Sequence, residues 1–113
     1  MKFSFGDIYL ANCAPNFGRE YGKVRPVIVV QEENISQMSP LVTIMPISSK
    51  VEKMEGTDVF VGKDDKNRLS VDSVVKVHQI SSYDKERFLH FIGKVNSPVI
   101  RKVRGYLRRH FGL

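Results

Sequence analysis

Through the first eighty positions the apolar residues gather in short, nearly continuous runs rather than at helical spacing. Ile8-Tyr9-Leu10-Ala11 follows the turn-like pair Gly6-Asp7, residues 24–31 (VRPVIVVQ) are dense in β-branched side chains, and residues 41–47 (LVTIMPI) repeat the pattern. Such runs predict strands covered on both faces, as in a small barrel. Pro26 and Pro46 mark strand entries, edges or bulges, because proline brings no N–H to a ladder. Val59-Phe60-Val61 predicts a fourth strand and residues 73–80 (SVVKVHQI) a fifth. Turn-rich stretches at 13–23, 32–40, 48–56 and 62–70 read as loops. The first holds Gly18 and Gly22 around Arg19-Glu20-Tyr21, and a long loop on rigid strands commonly carries function.

The last third changes period. Residues 83–87 read as a helical turn and 88–95 as a strand, and the clearest helix of the chain follows. Ser97 suits the N-cap, Pro98 the first helical position and Gly112 the C-terminal stop. Val99, Ile100, Val103, Tyr106, Leu107, His110 and Phe111 recur on one face. Gly105 weakens the interior by up to ~1 kcal/mol relative to alanine. The pattern predicts a mainly β fold with a C-terminal helix packed on it, in a single domain spanning 1–113.

Charge adds a direction. Lys and Arg number 18 against 12 Asp and Glu, a net +6, and the excess lies wholly after residue 56. Arg101, Lys102, Arg104, Arg108 and Arg109 crowd the helix with no acidic neighbour beyond residue 94. This is either a solvated helix face or a surface that attracts polyanions and acidic partners. The lone cysteine, Cys13, excludes an internal disulfide and reads as strand-end packing; with three histidines it gives little basis for a structural zinc. The N-terminus imitates an export signal until Gly6 and Asp7 break it. The expectation is a cytoplasmic protein without a membrane segment, a metal or a cofactor. No helix-turn-helix, zinc-finger spacing, phosphate-binding glycine loop or G-x-S-x-G elbow is present. The residues alone thus describe a small basic β-barrel suited to nucleic acid.

Longer landmarks narrow this. Gly6-Asp7, Asn12, Pro15, Gly18-x-Glu20-x-Gly22 and Arg25-Pro26-Val27 occur in order, followed by Ser39-Pro40 and Ser48, then Asp72-Ser73-Val74, Gln79-Ile80 and Asp84-Lys85. This series resembles the MazF/PemK/Kid family of type II toxin–antitoxin toxins across nearly the whole chain. The resemblance implies an SH3-like small barrel of the MazF/PemK/CcdB type and a homodimer. It also implies a metal-independent endoribonuclease for single-stranded RNA, inhibited by an acidic antitoxin. The implied chemistry is attack by the ribose 2′-hydroxyl, leaving a cyclic phosphate and a 5′-hydroxyl.

Arg25 and Ser48 align with the family's catalytic pair. Arginine offers phosphate two donors at a permanent charge, and a hydroxyl at the strand end can donate to the scissile phosphate. Without the family, Arg25 reads equally as a loop brace for Glu20, and Ser48 as a capping serine. Substrate contacts are expected from Phe17, Arg19, Glu20, Tyr21, Lys76, His78 and Gln79. Phe17 and Tyr21 could stack on bases or anchor the loop. Lys76, His78 and Ile80 would share one face if residues 73–80 were a strand, and His78 could then shuttle a proton or simply face solvent. Two other readings remain open: a non-catalytic RNA-binding relative, and a CcdB-like gyrase poison. The second is weakened by the absence of tryptophan and the presence of Arg25-Pro26-Val27.

Overall fold

A computed structural model describes residues 1–14 and 23–113 of the chain. Among these residues seven strands form: β1 (Asp7–Asn12), β2 (Val24–Val29), β3 (Leu41–Ser48), β4 (Val59–Val61), β5 (Ser73–Val75), β6 (Ser81–Asp84) and β7 (Phe88–Lys94). β6 is not among the expected strands, since residues 83–87 read as a helical turn and only Lys85–Arg87 take one. They build one antiparallel sheet ordered β4-β5-β3-β2-β1-β7, with β6 also pairing β3. The architecture is the predicted mainly β fold with a C-terminal helix, α2 (Ser97–Phe111).

The near-continuous apolar runs have the meaning expected of them, since both faces of the central strands are covered. Ile8, Ile28, Met45 and Ile47 join Val59, Val61 and Val75 beneath Val99 and Val103 of α2. Tyr9, Ala11, Val27, Val29, Val42 and Ile44 form a second cluster with Phe3 and Phe88 on the other side. Successive side chains of a strand point to opposite faces, so each run feeds both clusters in turn.

Several expectations change. Residues 32–40 are not all loop, because a short helix, α1 (Glu33–Met38), lies within them. The Glu32 side chain caps it by accepting from the amides of Asn34 and Ile35, which the polar sequence ENISQM did not announce. The α2 cap is Asn96, one residue before Ser97, and its Oδ1 accepts from Val99 N at 3.1 Å. Gly112 does end the helix in the left-handed conformation, at φ 67°. The apolar face of α2 stops short, however: Phe111 is 57% exposed and His110 is also exposed.

The last change matters for function. Residues 73–80 are not one strand. β5 ends at Val75, a 3₁₀ turn occupies Val77–Gln79, and β6 begins at Ser81. β5 pairs the C-terminal end of β3 (Ile47↔Val75) and β6 its N-terminal half (Ile44↔Ser81), with Pro46 between them. The Pro46 carbonyl accepts from Lys76 N at 3.0 Å, but proline has no N–H to return. The ladder lapses there and the facing chain turns out.

The segment after β4 packs tightly under β7. A Cβ on Gly93 would lie 2.6 Å from the carbonyl oxygens of both Lys66 and Asn67. Backbone on that side cannot move aside cheaply. Gly93→Ala is therefore expected to cost about 3 kcal/mol or more, measured as a lower urea midpoint. A near-native midpoint would show that this segment is looser than its packing indicates.

Candidate active site

The end of β3 is where the chemistry collects. Arg25, opposite Ala11 on β2, lies two residues before β2 begins to pair with β3 at Val27↔Pro46. Its exposed side chain therefore reaches the C-terminal end of β3. There it lines a cavity of about 260 Å³ with Pro46, Ser48, Lys50, Lys76 and Gln79. Three cations thus converge on one concave surface. Among the described residues none of the cavity's lining side chains is acidic, and Arg25 has no carboxylate partner.

Ser48 is half-buried at the strand end, and its Oγ accepts from the Lys50 amide at 3.1 Å. That bond fixes the turn carrying Lys50 while keeping the hydroxyl at the cavity wall. The turn-capping reading of this serine is met, and the residue also lines the cavity.

Lys76 enters the cavity because the strand breaks. As the residue preceding the 3₁₀ turn, it shares a face with Gln79 three positions on, and both line the cavity. His78 does not. It borders a separate shallow cleft with Glu55, Gly56 and Thr57, so the expectation that Lys76, His78 and Ile80 share a strand face is corrected. The physical reason is the change of period from two to three after Val75.

Beneath Lys76 lies Asp58, whose side chain is fully buried. Its Oδ2 accepts from Lys76 Nζ at 2.7 Å and from Glu55 N at 3.2 Å. Among the described residues its Oδ1 has no hydrogen-bond partner; His78 Nδ1 stands 3.7 Å away, beyond hydrogen-bonding reach. The ion pair orients Lys76 at the cavity wall, where the amine keeps two further donors.

The first-loop candidates Phe17, Arg19, Glu20 and Tyr21 fall outside the described residues. The loop's two ends are anchored. The Cys13 amide donates to Lys23 O at 2.9 Å, and Arg87 Nη1 donates to Asn12 O and Ala14 O at 3.1 and 2.6 Å. Cys13 itself packs beside Tyr83 against the second core cluster. Burial is the main cause that raises the Tyr83 phenol above its usual range.

Residues 4–111 match the family described as PemK-like, MazF-like toxin of type II toxin–antitoxin system. The chain belongs to that family. Among curated PemK/MazF relatives, the Endoribonuclease MazF of Staphylococcus saprophyticus is 31% identical over 109 residues, covering 96% of this chain and 90% of that protein. The fold matches MazF from Deinococcus radiodurans with a TM-score of 0.81 at 24% identity, over 100% of this chain and 99% of that one. A mycobacterial endoribonuclease in complex with its cognate antitoxin aligns with a TM-score of 0.76 at 15% identity, covering 97% and 95%.

Within this PemK/MazF frame, some landmark residues prove architectural. Gly6 takes φ +93° against Ile100. Asp7 is buried, accepting from Ser4 N at 2.9 Å and Lys94 Nζ at 2.7 Å. Two site residues escaped sequence reasoning. Lys50 carried no signal beyond its closeness to Ser48. Asp58 carried none either, since its partner lies eighteen residues away.

Proposed function

We propose that this protein is a toxin endoribonuclease of a type II toxin–antitoxin system. It cuts single-stranded RNA sequence-selectively and without a metal, through attack of a ribose 2′-hydroxyl on the adjacent phosphate. The products are a 2′,3′-cyclic phosphate and a 5′-hydroxyl. Endoribonuclease activity is supported by family membership and by the staphylococcal relative. The observation that carries the finer reading is the meeting of Arg25, Lys50, Lys76 and Ser48 around one cavity.

The chemistry follows from that set. Charge grows on the non-bridging oxygens as phosphorus becomes five-coordinate, and donors placed in advance stabilise it. Arg25 supplies a two-pronged, permanently charged contact. Ser48 Oγ donates to the same phosphate and holds it in line. Lys76 and Lys50 neutralise the neighbouring backbone, and Gln79 offers both a donor and an acceptor to a base edge. Glu20, between Gly18 and Gly22, takes the proton of the attacking 2′-hydroxyl, and water protonates the leaving 5′-oxygen. The active unit is a homodimer in the cytoplasm, and an acidic antitoxin inhibits it by occupying the cationic cavity.

One observation favours a second reading. Among the described residues lining the cavity there is no carboxylate and no imidazole, the arrangement expected of a protein that binds RNA without turnover. One experiment separates the two. Purified protein is incubated with long single-stranded RNA in EDTA, and the new ends are mapped. Discrete cuts bearing 5′-hydroxyl ends are expected. Intact RNA that co-migrates with folded protein would establish the binding-only reading instead.

A further inference from the structure

Lys76 and His78 approach the same buried carboxylate. Lys76 Nζ lies 2.7 Å from Asp58 Oδ2, and His78 Nδ1 lies 3.7 Å from Asp58 Oδ1. Oδ1 is buried and, among the described residues, has no hydrogen-bond partner. The His78 side chain is half exposed, so protons from solvent reach its ring. We propose that His78 is a positioning residue for Lys76. Once protonated, it closes on Oδ1, shares the charge of Asp58 and frees the Lys76 amine for RNA phosphate. The inference rests on the ribonuclease reading for the identity of the ligand.

Charge gives the direction of the effect. Lys76 and Asp58 together carry no net charge, so the carboxylate offsets much of what the amine offers the cavity. An imidazolium joined to that pair leaves positive charge in excess, and phosphate is the group drawn to it. The geometry suits this change. A charge-assisted N–H···O bond spans about 2.7–2.9 Å, so the ring closes on Oδ1 by moving roughly an ångström. A neutral imidazole holds one proton on either nitrogen, whereas the imidazolium donates from both. Protonation therefore guarantees a donor at Nδ1. The new bond also satisfies an acceptor that is otherwise buried without a match.

The surroundings leave this bond to His78. Glu55 borders the same cleft, and its amide donates to Asp58 Oδ2 at 3.2 Å, away from Oδ1. β3 packs on the turn and has no charged residue. α2 packs on it as well, in the cluster that holds Val77, Val99 and Val103. Its Arg101, Lys102, Arg104, Arg108, Arg109 and His110 are all exposed. Among the described residues, Lys76 and His78 are the only basic groups within ion-pair distance of Asp58. The turn is held by its own backbone, Gln79 N donating to Lys76 O at 3.0 Å and Ile80 N to Val77 O at 3.3 Å. Movement of the ring on so fixed a turn acts on Asp58, and through it on Lys76.

The test measures affinity for single-stranded 2′-fluoro RNA, which binds but cannot be cut through a 2′-hydroxyl. Measurements span about pH 5 to 8, the range in which an imidazole changes charge. The wild type should bind about tenfold more tightly at the acid end, the scale of one hydrogen bond to a charged group. The slope of log affinity against log salt should steepen there by about 0.7, one phosphate contact on a single strand. His78→Gln should keep the weaker affinity throughout, and His78→Lys, with a permanent charge, the tighter one. The double variant Lys76→Met/Asp58→Asn retains His78 but lacks the pair through which it acts, so the step should vanish. Thermal melting at both ends of the range shows that each variant is folded. A step of wild-type size in His78→Gln or in the double variant overturns the proposal. Cleavage of ordinary RNA is followed in parallel. A wild type that cuts RNA but binds it equally at every pH overturns the role of His78 alone. One that shows the step but never cuts overturns the ribonuclease reading and leaves that role standing.

Discussion

Arg25→Ala should lower RNA cleavage by about a thousandfold or more while leaving the melting temperature unchanged. Loss of one donor placed for a transition-state oxyanion typically costs 10²–10³ in rate, and this variant loses two donors together with a full charge. The fold should be indifferent, because Arg25 is exposed and, among the described residues, pairs with no carboxylate. Arg25→Lys separates charge from geometry. Lysine keeps the charge but not the planar fork, so it should recover only a part of the lost rate. RNA binding by Arg25→Ala should also lose about 0.7 from the slope of log affinity against log salt, the share of one phosphate contact on single strands. Cleavage by Arg25→Ala within tenfold of the wild type would remove Arg25 from the mechanism.

The second large effect concerns Lys76, where stability and activity meet. Lys76→Met takes the only charged hydrogen-bond partner, among the described residues, from a carboxylate that is fully buried. Stranding such a group costs about 3–5 kcal/mol, a loss readable in urea. Adding Asp58→Asn removes the stranded charge, so the double variant should regain at least half of that stability. Its cleavage rate should nevertheless stay tenfold or more below the wild type, because a charge-assisted contact to phosphate is still missing. A double variant that cuts RNA at the normal rate would mean that Lys76 serves only as the counter-ion of Asp58. The sign of this double-variant comparison therefore distinguishes a scaffold ion pair from a substrate contact.

Legibility differed from element to element. Strands β1, β2 and β3 were plain because their apolar runs are long, β-branched and bounded by turn residues. The helix α2 was equally plain, with Pro98 and Gly112 at its ends and Val99 and Val103 recurring at helical spacing. The short helix α1 gave no such signal, since its stability comes from the Glu32 cap and from Gln31, which bridges Ser36 and Thr43 at 3.1 and 2.9 Å. At the candidate site, Arg25 and Ser48 stood out only through an ordered series of family landmarks. Taken singly, each had an ordinary structural explanation.

By itself the sequence determined the mainly β architecture, the C-terminal helix, the family and the basic surface. Those properties are written in local pattern: periodicity, caps, turns and charge act over a few residues. Tertiary structure alone decided which charges share a cavity. Whether residues 73–80 continue as a strand depends on Pro46, thirty positions earlier, failing to return a hydrogen bond to the Lys76 backbone. Whether Lys76 or His78 reaches the cavity depends on the turn that results. Asp58 is paired because the fold brings Lys76, eighteen residues later, against its buried carboxylate. Contacts of this kind depend on the packing of distant segments, and no local window of the sequence contains both partners.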